Sequence, residues 1–304
     1  MPFQRFLPGR RAAFLFGGLS ALGLTGCSAT GALNALVPRD SYRGESGIAY
    51  GPHPRQRLDV YRPLPDSAAA ARRPPLVVFF YGGNWTRGER ADYRFVGEAL
   101  AAHGVVSVLP DYRLSPEVGW RDILADCAAA TAWARREAAT FGADPARLIL
   151  MGHSAGGYNA AMLALDGRWL GAQQLSPRQL AGWIGLAGPY DFLPIGDPET
   201  RVAFSWPDTP RDSQPIHHVA AGAPPALLLA AANDRLVYPE RNTLPLAARL
   251  RAAGVPVRAE VLERVNHATL VGAIAAPLRW LAPVLPPVLD FIEAPGAAKA
   301  PTMV

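Results

Sequence analysis

One serine in this chain sits where covalent chemistry needs it. Ser154 lies in Gly152-His153-Ser154-Ala155-Gly156, after the apolar stretch 147–151 and before Gly157-Tyr158-Asn159-Ala160, which opens an Ala-rich helical pattern. A strand that turns this sharply into a helix tolerates only small neighbours and throws the hydroxyl clear of the sheet. The helix N-terminus beside it favours developing negative charge. A serine hydroxyl is a poor nucleophile until a base takes its proton, so a histidine is required, held in turn by a carboxylate.

The chain has six histidines. His53 and His103 precede the serine, and His153 lies inside the elbow itself. His217 and His218 fall in a Pro-rich connection that suits lid or surface roles, whereas His267 follows the strand-like stretch 257–262 in Val265-Asn266-His267. Asp234, just after the apolar run 226–231, completes the order nucleophile, acid, base. Asp191 is the alternative acid. A tetrahedral intermediate needs unobstructed amide donors, and Tyr81-Gly82-Gly83-Asn84-Trp85 follows a strongly apolar run. The expected oxyanion hole is Gly82, Gly83 and Ala155. Trp85, Tyr158, Tyr190 and Trp206 are the expected pocket walls, with residues 189–224 as a long, Pro-rich lid.

The elements that must position these residues are strands at 57–61, 76–81, 105–109, 148–151, 183–187, 226–231 and 257–262. Helical patterns fall at 120–140, 155–165 and 240–253, with a Pro-interrupted one at 278–292. Strands alternating with helices imply an α/β fold: a mostly parallel sheet with helices on both faces and its ligand at the carboxyl ends of the strands. With 304 residues, half of them hydrophobic and 18% charged, the chain can bury one large core. The expected organisation is a leader over 1–26, a tether over 27–44, one catalytic domain over 45–293 and a loose tail over 294–304.

The net charge is +5, but Arg5, Arg10 and Arg11 sit in an acid-free N-terminal segment, so the remainder is nearer neutrality and gives little support for nucleic-acid binding. No H-E-x-x-H, Cys/His ligand spacing or G-x-x-x-x-G-K loop is present, so neither a metal nor another cofactor is expected. The N-terminus combines Arg10-Arg11 with an apolar run over 12–24, shorter than the ~20 residues of a membrane helix. Leu24-Thr25-Gly26-Cys27 then resembles the lipobox of bacterial lipoproteins, which implies acylation of Cys27, export, and a lipid-anchored place in the cell envelope. Ser28 after the cysteine favours the outer membrane where one exists. A plain secretory leader is the alternative. With Cys27 lipidated, Cys127 is left alone and reads as a buried small hydrophobe.

Several ordered motifs together resemble the α/β-hydrolase superfamily, in particular the esterase branch related to hormone-sensitive lipase and to small bacterial carboxylesterases. They are Tyr81-Gly82-Gly83, Asp111-Tyr112-Arg113-Leu114-Ser115-Pro116-Glu117, the Ser154 elbow, Gly188-Pro189-Tyr190-Asp191, and the Asp234 and His267 segments. The resemblance implies an α/β-hydrolase fold and cleavage of a small or medium carboxylic ester through an acyl-enzyme. It also implies that Arg113 is structural, paired to nearby acids. Tyr81 stands where that family has His, and the long N-terminal cap of the lipase-like members is missing, which suggests a more open pocket. Trp85 after Gly82-Gly83-Asn84 is also similar to the loop of kynurenine formamidases, so an N-formyl amide is a second possible substrate. A catalytically silent lipoprotein that uses the fold for binding is the alternative outside enzymes. The expected partners are a small-molecule ester and, through Cys27, a membrane; oligomeric state is left open.

Overall fold

The computed structural model describes residues 29–65 and 73–297; Cys27 and the leader lie outside the described residues. Eight strands form one sheet: β1 Arg43–Ala49, β2 Arg57–Arg62, β3 Pro75–Phe80, β4 Val106–Pro110, β5 Asp144–His153, β6 Gly182–Leu186, β7 Ala226–Ala231 and β8 Val257–Leu262, in the order β1-β2-β4-β3-β5-β6-β7-β8. β1 and β2 pair antiparallel, as do β2 and β4, and every other neighbour is parallel. All six residues of β3 and of β7 are buried, as are all five of β6. Successive strand side chains point to opposite faces, so unbroken burial means that both faces are covered, as expected of a parallel sheet.

Helix α1 spans Ala29–Ala35, α2 Arg94–Ala102, α3 Trp120–Glu137, α4 Ala155–Leu165 and α5 Gly167–Gly171. Then follow α6 Pro198–Phe204, α7 Thr243–Ala252, α8 His267–Gly272 and α9 Leu285–Glu293. α4 is buried at every position, packed on β5, β6 and β3. A helix that is apolar all round belongs at the centre of a large core.

Two differences from the expected elements matter. Residues 27–44 read as a tether, yet in their described part α1 docks on the body. Asn34 is buried, its Nδ2 donating to Ala91 O at 2.6 Å and its Oδ1 accepting from the Phe95 amide at 3.2 Å. The sheet also begins earlier than the sequence pattern suggests. β1 is an almost fully exposed edge strand with no apolar alternation.

Candidate active site

The parallel strands β3, β5, β7 and β8 deliver Gly82, Ser154, Asp234 and His267 from their carboxyl ends, which puts four distant stretches of sequence at one edge of the sheet. The glycines of the elbow are required by space. A Cβ on Gly152 would lie 2.0 Å from Gly156 O, and one on Gly156 would lie 2.0 Å from Phe80 O. Ser154 itself takes φ 56° and ψ −123°, a conformation L-residues rarely adopt, and its amide is tied to Leu186 O at 2.9 Å. The strain is held by the packed surroundings and keeps the hydroxyl at the surface of the cavity.

His267 opens α8, and its position is set by a reciprocal cap. Asn266 Oδ1 accepts from the amides of Ala268 and Thr269, while Thr269 Oγ1 accepts from the Asn266 amide at 2.8 Å. The imidazole reaches both predicted partners: Nε2 lies 2.8 Å from Ser154 Oγ, and Nδ1 lies 2.7 Å from Asp234 Oδ2. A carboxylate only accepts, so Nδ1 carries the proton and Nε2 is free to accept from the serine. Asp234 Oδ1 accepts from the amides of Leu236 at 2.9 Å and Val237 at 2.8 Å. Burial pushes this carboxyl upward, but the hydrogen bonds from His267 and from the two amides outweigh it and hold the pKa below the usual carboxylate range. Asp191, the rival acid, has its amide bonded to Asn242 Oδ1, and the His267 ring hydrogen-bonds to Asp234.

Gly82, Gly83 and Ala155 line the same cavity as Ser154 and His267. Gly82 approaches so closely that a Cβ would lie 2.8 Å from Ser154 Cβ. Gly83 has φ +130°, and a Cβ there would meet Arg87 O at 2.2 Å; Asn84 and Trp85 follow at φ 51° and 61°. Ala155 is the first residue of α4, where an N–H has no partner within the helix.

Arg55, which sequence reasoning missed, straps this loop in place. Its Nε donates to Tyr112 O, and its Nη2 to Tyr81 Oη and Gly88 O, each at 2.9 Å. Tyr81 is stacked on Tyr112 with centroids 4.5 Å apart, and Tyr112 Oη donates to Tyr81 O. Arg113 makes the expected structural pair, with two 2.8 Å bonds to Asp126.

His153 is an unexpected member of the site. Its Nε2 donates to His267 O at 2.9 Å, while its buried Nδ1 has no partner among the described residues and faces Gly82. Burial, then the neighbouring His267, pushes its pKa down to about 3, so the ring is neutral.

The cavity above the triad has a volume of about 590 Å³. Of the four predicted wall residues only Trp85 lines it. Tyr158 is fully buried with its hydroxyl donating to Ser213 O at 2.8 Å, Tyr190 is buried beneath Gly185 and Gly188, and Trp206 packs on the core outside the cavity. These three are corrections. An aromatic close to the nucleophile in sequence is turned into the core when its helix or loop is buried. Phe192 and Ile195 from the 189–224 segment, and Leu236, Val237 and Tyr238 from the turn after Asp234, take their places.

The expected lid is not a loose strap. Trp85, Tyr158, Phe192 and Phe204 form one aromatic cluster, with Trp85 4.8 Å from Phe204 and 5.2 Å from Tyr158, and Phe192 5.1 Å from Phe204. Trp85 Nε1 also donates to Asn159 Oδ1 on α4 at 3.1 Å. Among the described residues no cluster of His, Cys, Asp and Glu could hold a metal, and no helix is long and apolar enough to cross a membrane.

The BD-FAE family model matches residues 58–250, more than half of the chain. Esterase LipC of Mycobacterium tuberculosis is 32% identical over 225 residues, 67% of this chain and 54% of the relative. Isoprenylcysteine alpha-carbonyl methylesterase ICME of Arabidopsis thaliana is 32% identical over 154 residues, 49% of this chain and 35% of the relative. The chain thus spans about half the length of LipC, and less of the plant enzyme. Among solved structures, Thermogutta terrifontis esterase 2 phosphonylated by sarin superposes with a TM-score of 0.68 at 25% identity, covering 84% of this chain and 97% of its own. A truncated carbohydrate esterase from gut microbiota matches in fold alone, with a TM-score of 0.68 at 17% identity, covering 84% and 97%. The fold is that of the α/β-hydrolase esterases.

Proposed function

Because the chain belongs to the BD-FAE family, we propose that it is a serine hydrolase that cleaves the carboxylic ester of a small or medium acyl compound through an acyl-enzyme. The observation that carries this reading is the continuous relay from Ser154 Oγ through His267 to Asp234, at 2.8 and 2.7 Å, opening into a cavity of ligand size. His267 takes the serine proton as Oγ attacks the acyl carbon. Asp234 keeps the imidazole in the tautomer that can accept and stabilises the imidazolium that forms. The amides of Gly82, Gly83 and Ala155 supply donors for the oxyanion. His267 then returns the proton to the leaving alcohol, and water, activated by the same ring, releases the acid.

Ser154→Ala should remove nearly all hydrolysis of p-nitrophenyl butyrate, and labelling by a fluorophosphonate probe, in a protein that still unfolds cooperatively. Retained turnover in that variant would defeat the assignment. A silent binding protein has no need of a nucleophile strained into reach of a hydrogen-bonded base, so the geometry favours the enzyme. The place of Trp85, two residues after the glycine pair and on the cavity wall, keeps an N-formyl amide as the second substrate to screen. The N-terminal motif supports export and acylation at Cys27, with the catalytic domain held at a membrane surface. Incorporation of labelled palmitate that disappears in Cys27→Ser tests this separately.

A further inference from the structure

The mouth of the cavity carries a feature that the triad chemistry does not use. Leu236 and Tyr238 line the same cavity as Ser154, yet they are 75% and 56% exposed. Large apolar side chains held open at the rim of a site are surface reserved for contact. The backbone that carries them is tied to Asp234, whose Oδ1 accepts from the amides of Leu236 and Val237. Phe192, Pro194 and Ile195 contribute to the cavity wall from the 189–224 segment.

The charged and amide side chains of this wall are already engaged. Arg87 pairs with Glu199. Asp197 accepts from Thr200 N and Oγ1, both at 2.8 Å. Asn242 accepts from the amides of Tyr190 and Asp191 and donates to Tyr238 O. Arg241 donates to Leu193 O and, among the described residues, has no acid paired with it. A sugar or a zwitterion would bring polar groups that find few free partners here, and burying such groups unpaired is costly.

Which half of the ester meets these side chains follows from the proton transfer. The leaving oxygen must come within hydrogen-bond reach of His267 Nε2, and Leu236 and Tyr238 line the cavity into which that ring and Ser154 open. Resting on the esterase reading, we infer that the leaving alcohol is uncharged and apolar, an alkyl or aryl group laid along Leu236 and Tyr238, and that these two side chains set alcohol specificity.

The test holds the acyl group constant. Initial rates of the full mature chain are measured on ethyl, butyl and hexyl acetate, acetylated glucose, acetylcholine and O-acetyl-lactate. One-sided burial of a methylene predicts that kcat/KM rises about 2-fold per CH₂, so hexyl acetate, four methylenes longer, should exceed ethyl acetate roughly 16-fold, with sugar and charged esters below both. In Leu236→Ser/Tyr238→Ser the hexyl-to-ethyl ratio falls towards one, and the loss appears in KM. A flat alkyl series in the wild type, or preference for the acetylated sugar or acetylcholine, overturns the inference. Preference for O-acetyl-lactate, lost in Arg241→Gln, would do so in favour of an anion-reading mouth. Fluorophosphonate labelling of the same preparations separates the two levels: a chain that neither labels nor cleaves any ester defeats the esterase reading itself, whereas a labelled, active enzyme with the wrong preference defeats only this inference.

Discussion

Replacing Arg55 with Met isolates how the oxyanion loop is supported. The guanidinium makes three 2.9 Å hydrogen bonds, to Tyr112 O, Tyr81 Oη and Gly88 O, bracketing the stretch that carries Gly82 and Gly83 at both ends. Met keeps much of the side chain's length and apolar stem but none of the donors. Tyr81 is 1% exposed, so its hydroxyl loses its partner in a place water does not reach. A buried group left in that state costs about 1–3 kcal/mol, and bonds from a charged donor carry somewhat more than neutral ones. The Arg55 side chain is 31% exposed, so solvent recovers part of the loss. The expected destabilisation is therefore about 2–3 kcal/mol in urea unfolding. Catalysis should suffer separately, because a shift of ~1 Å in a positioning loop costs up to ~100-fold in rate. Steady-state hydrolysis of p-nitrophenyl butyrate should show kcat down about 10- to 100-fold with KM little changed, since the loss concerns donors used in the transition state. Arg55→Lys, with a single compact donor, should recover only part of either quantity. If Met lowers the urea midpoint while kcat stays within about 2-fold, Arg55 serves the fold alone and the reasoning is wrong.

Asp234→Asn should leave the backbone bonds from Leu236 and Val237 nearly intact but favour the wrong imidazole tautomer, lowering kcat by up to ~10⁴-fold; stopped assays across pH 6–9 would read it. His153 is held near pKa 3, well below an unfolded histidine at about 6.5, so the unfolded chain binds the extra proton between those values. Its contribution is therefore fully present above about pH 6.5 and is lost as pH falls, by up to about 1.4 kcal/mol per unit towards pH 3. His153→Asn should remove that slope from urea titrations at pH 4–7, and an unchanged slope would assign acid sensitivity to other groups. Tyr158→Phe removes the bond to Ser213 O and should cost about 1 kcal/mol without changing KM.

The hydrogen-bonded arrangement of Ser154, His267 and Asp234 could be read from the sequence because each member follows an apolar run at the end of a parallel strand, and because the elbow excludes side chains on both flanks. Ser154, Asp234 and His267 are local punctuation in a regular pattern. β1 gave no such signal. An edge strand with both faces wet, RGESGIA, has no need of alternation. The short helices α2, α6 and α8 were equally hard to see, since two turns hold too few apolar positions to set a period. Residue type alone misled for the cavity walls. Tyr158 and Tyr190 have the chemistry of a binding surface, but direction is decided by what packs around them, and both turn inward. Arg55 acts on partners 26 to 57 residues away, and Asn242 reaches back 51 and 52 residues to Asp191 and Tyr190. Such contacts exist only once the chain is folded.

The aromatic cluster shared by the 189–224 segment and α4 bears on how substrate gets in. Since Phe192 and Phe204 are packed against Trp85 and Tyr158, swinging residues 192–204 aside would part rings that pack on α4 beside Ser154. Turnover should then follow monomeric ester smoothly, with no jump when substrate begins to form micelles. Amide protons of residues 200–204 should accordingly exchange with deuterium on the same slow timescale as those of α4, as parts of a single cooperative block.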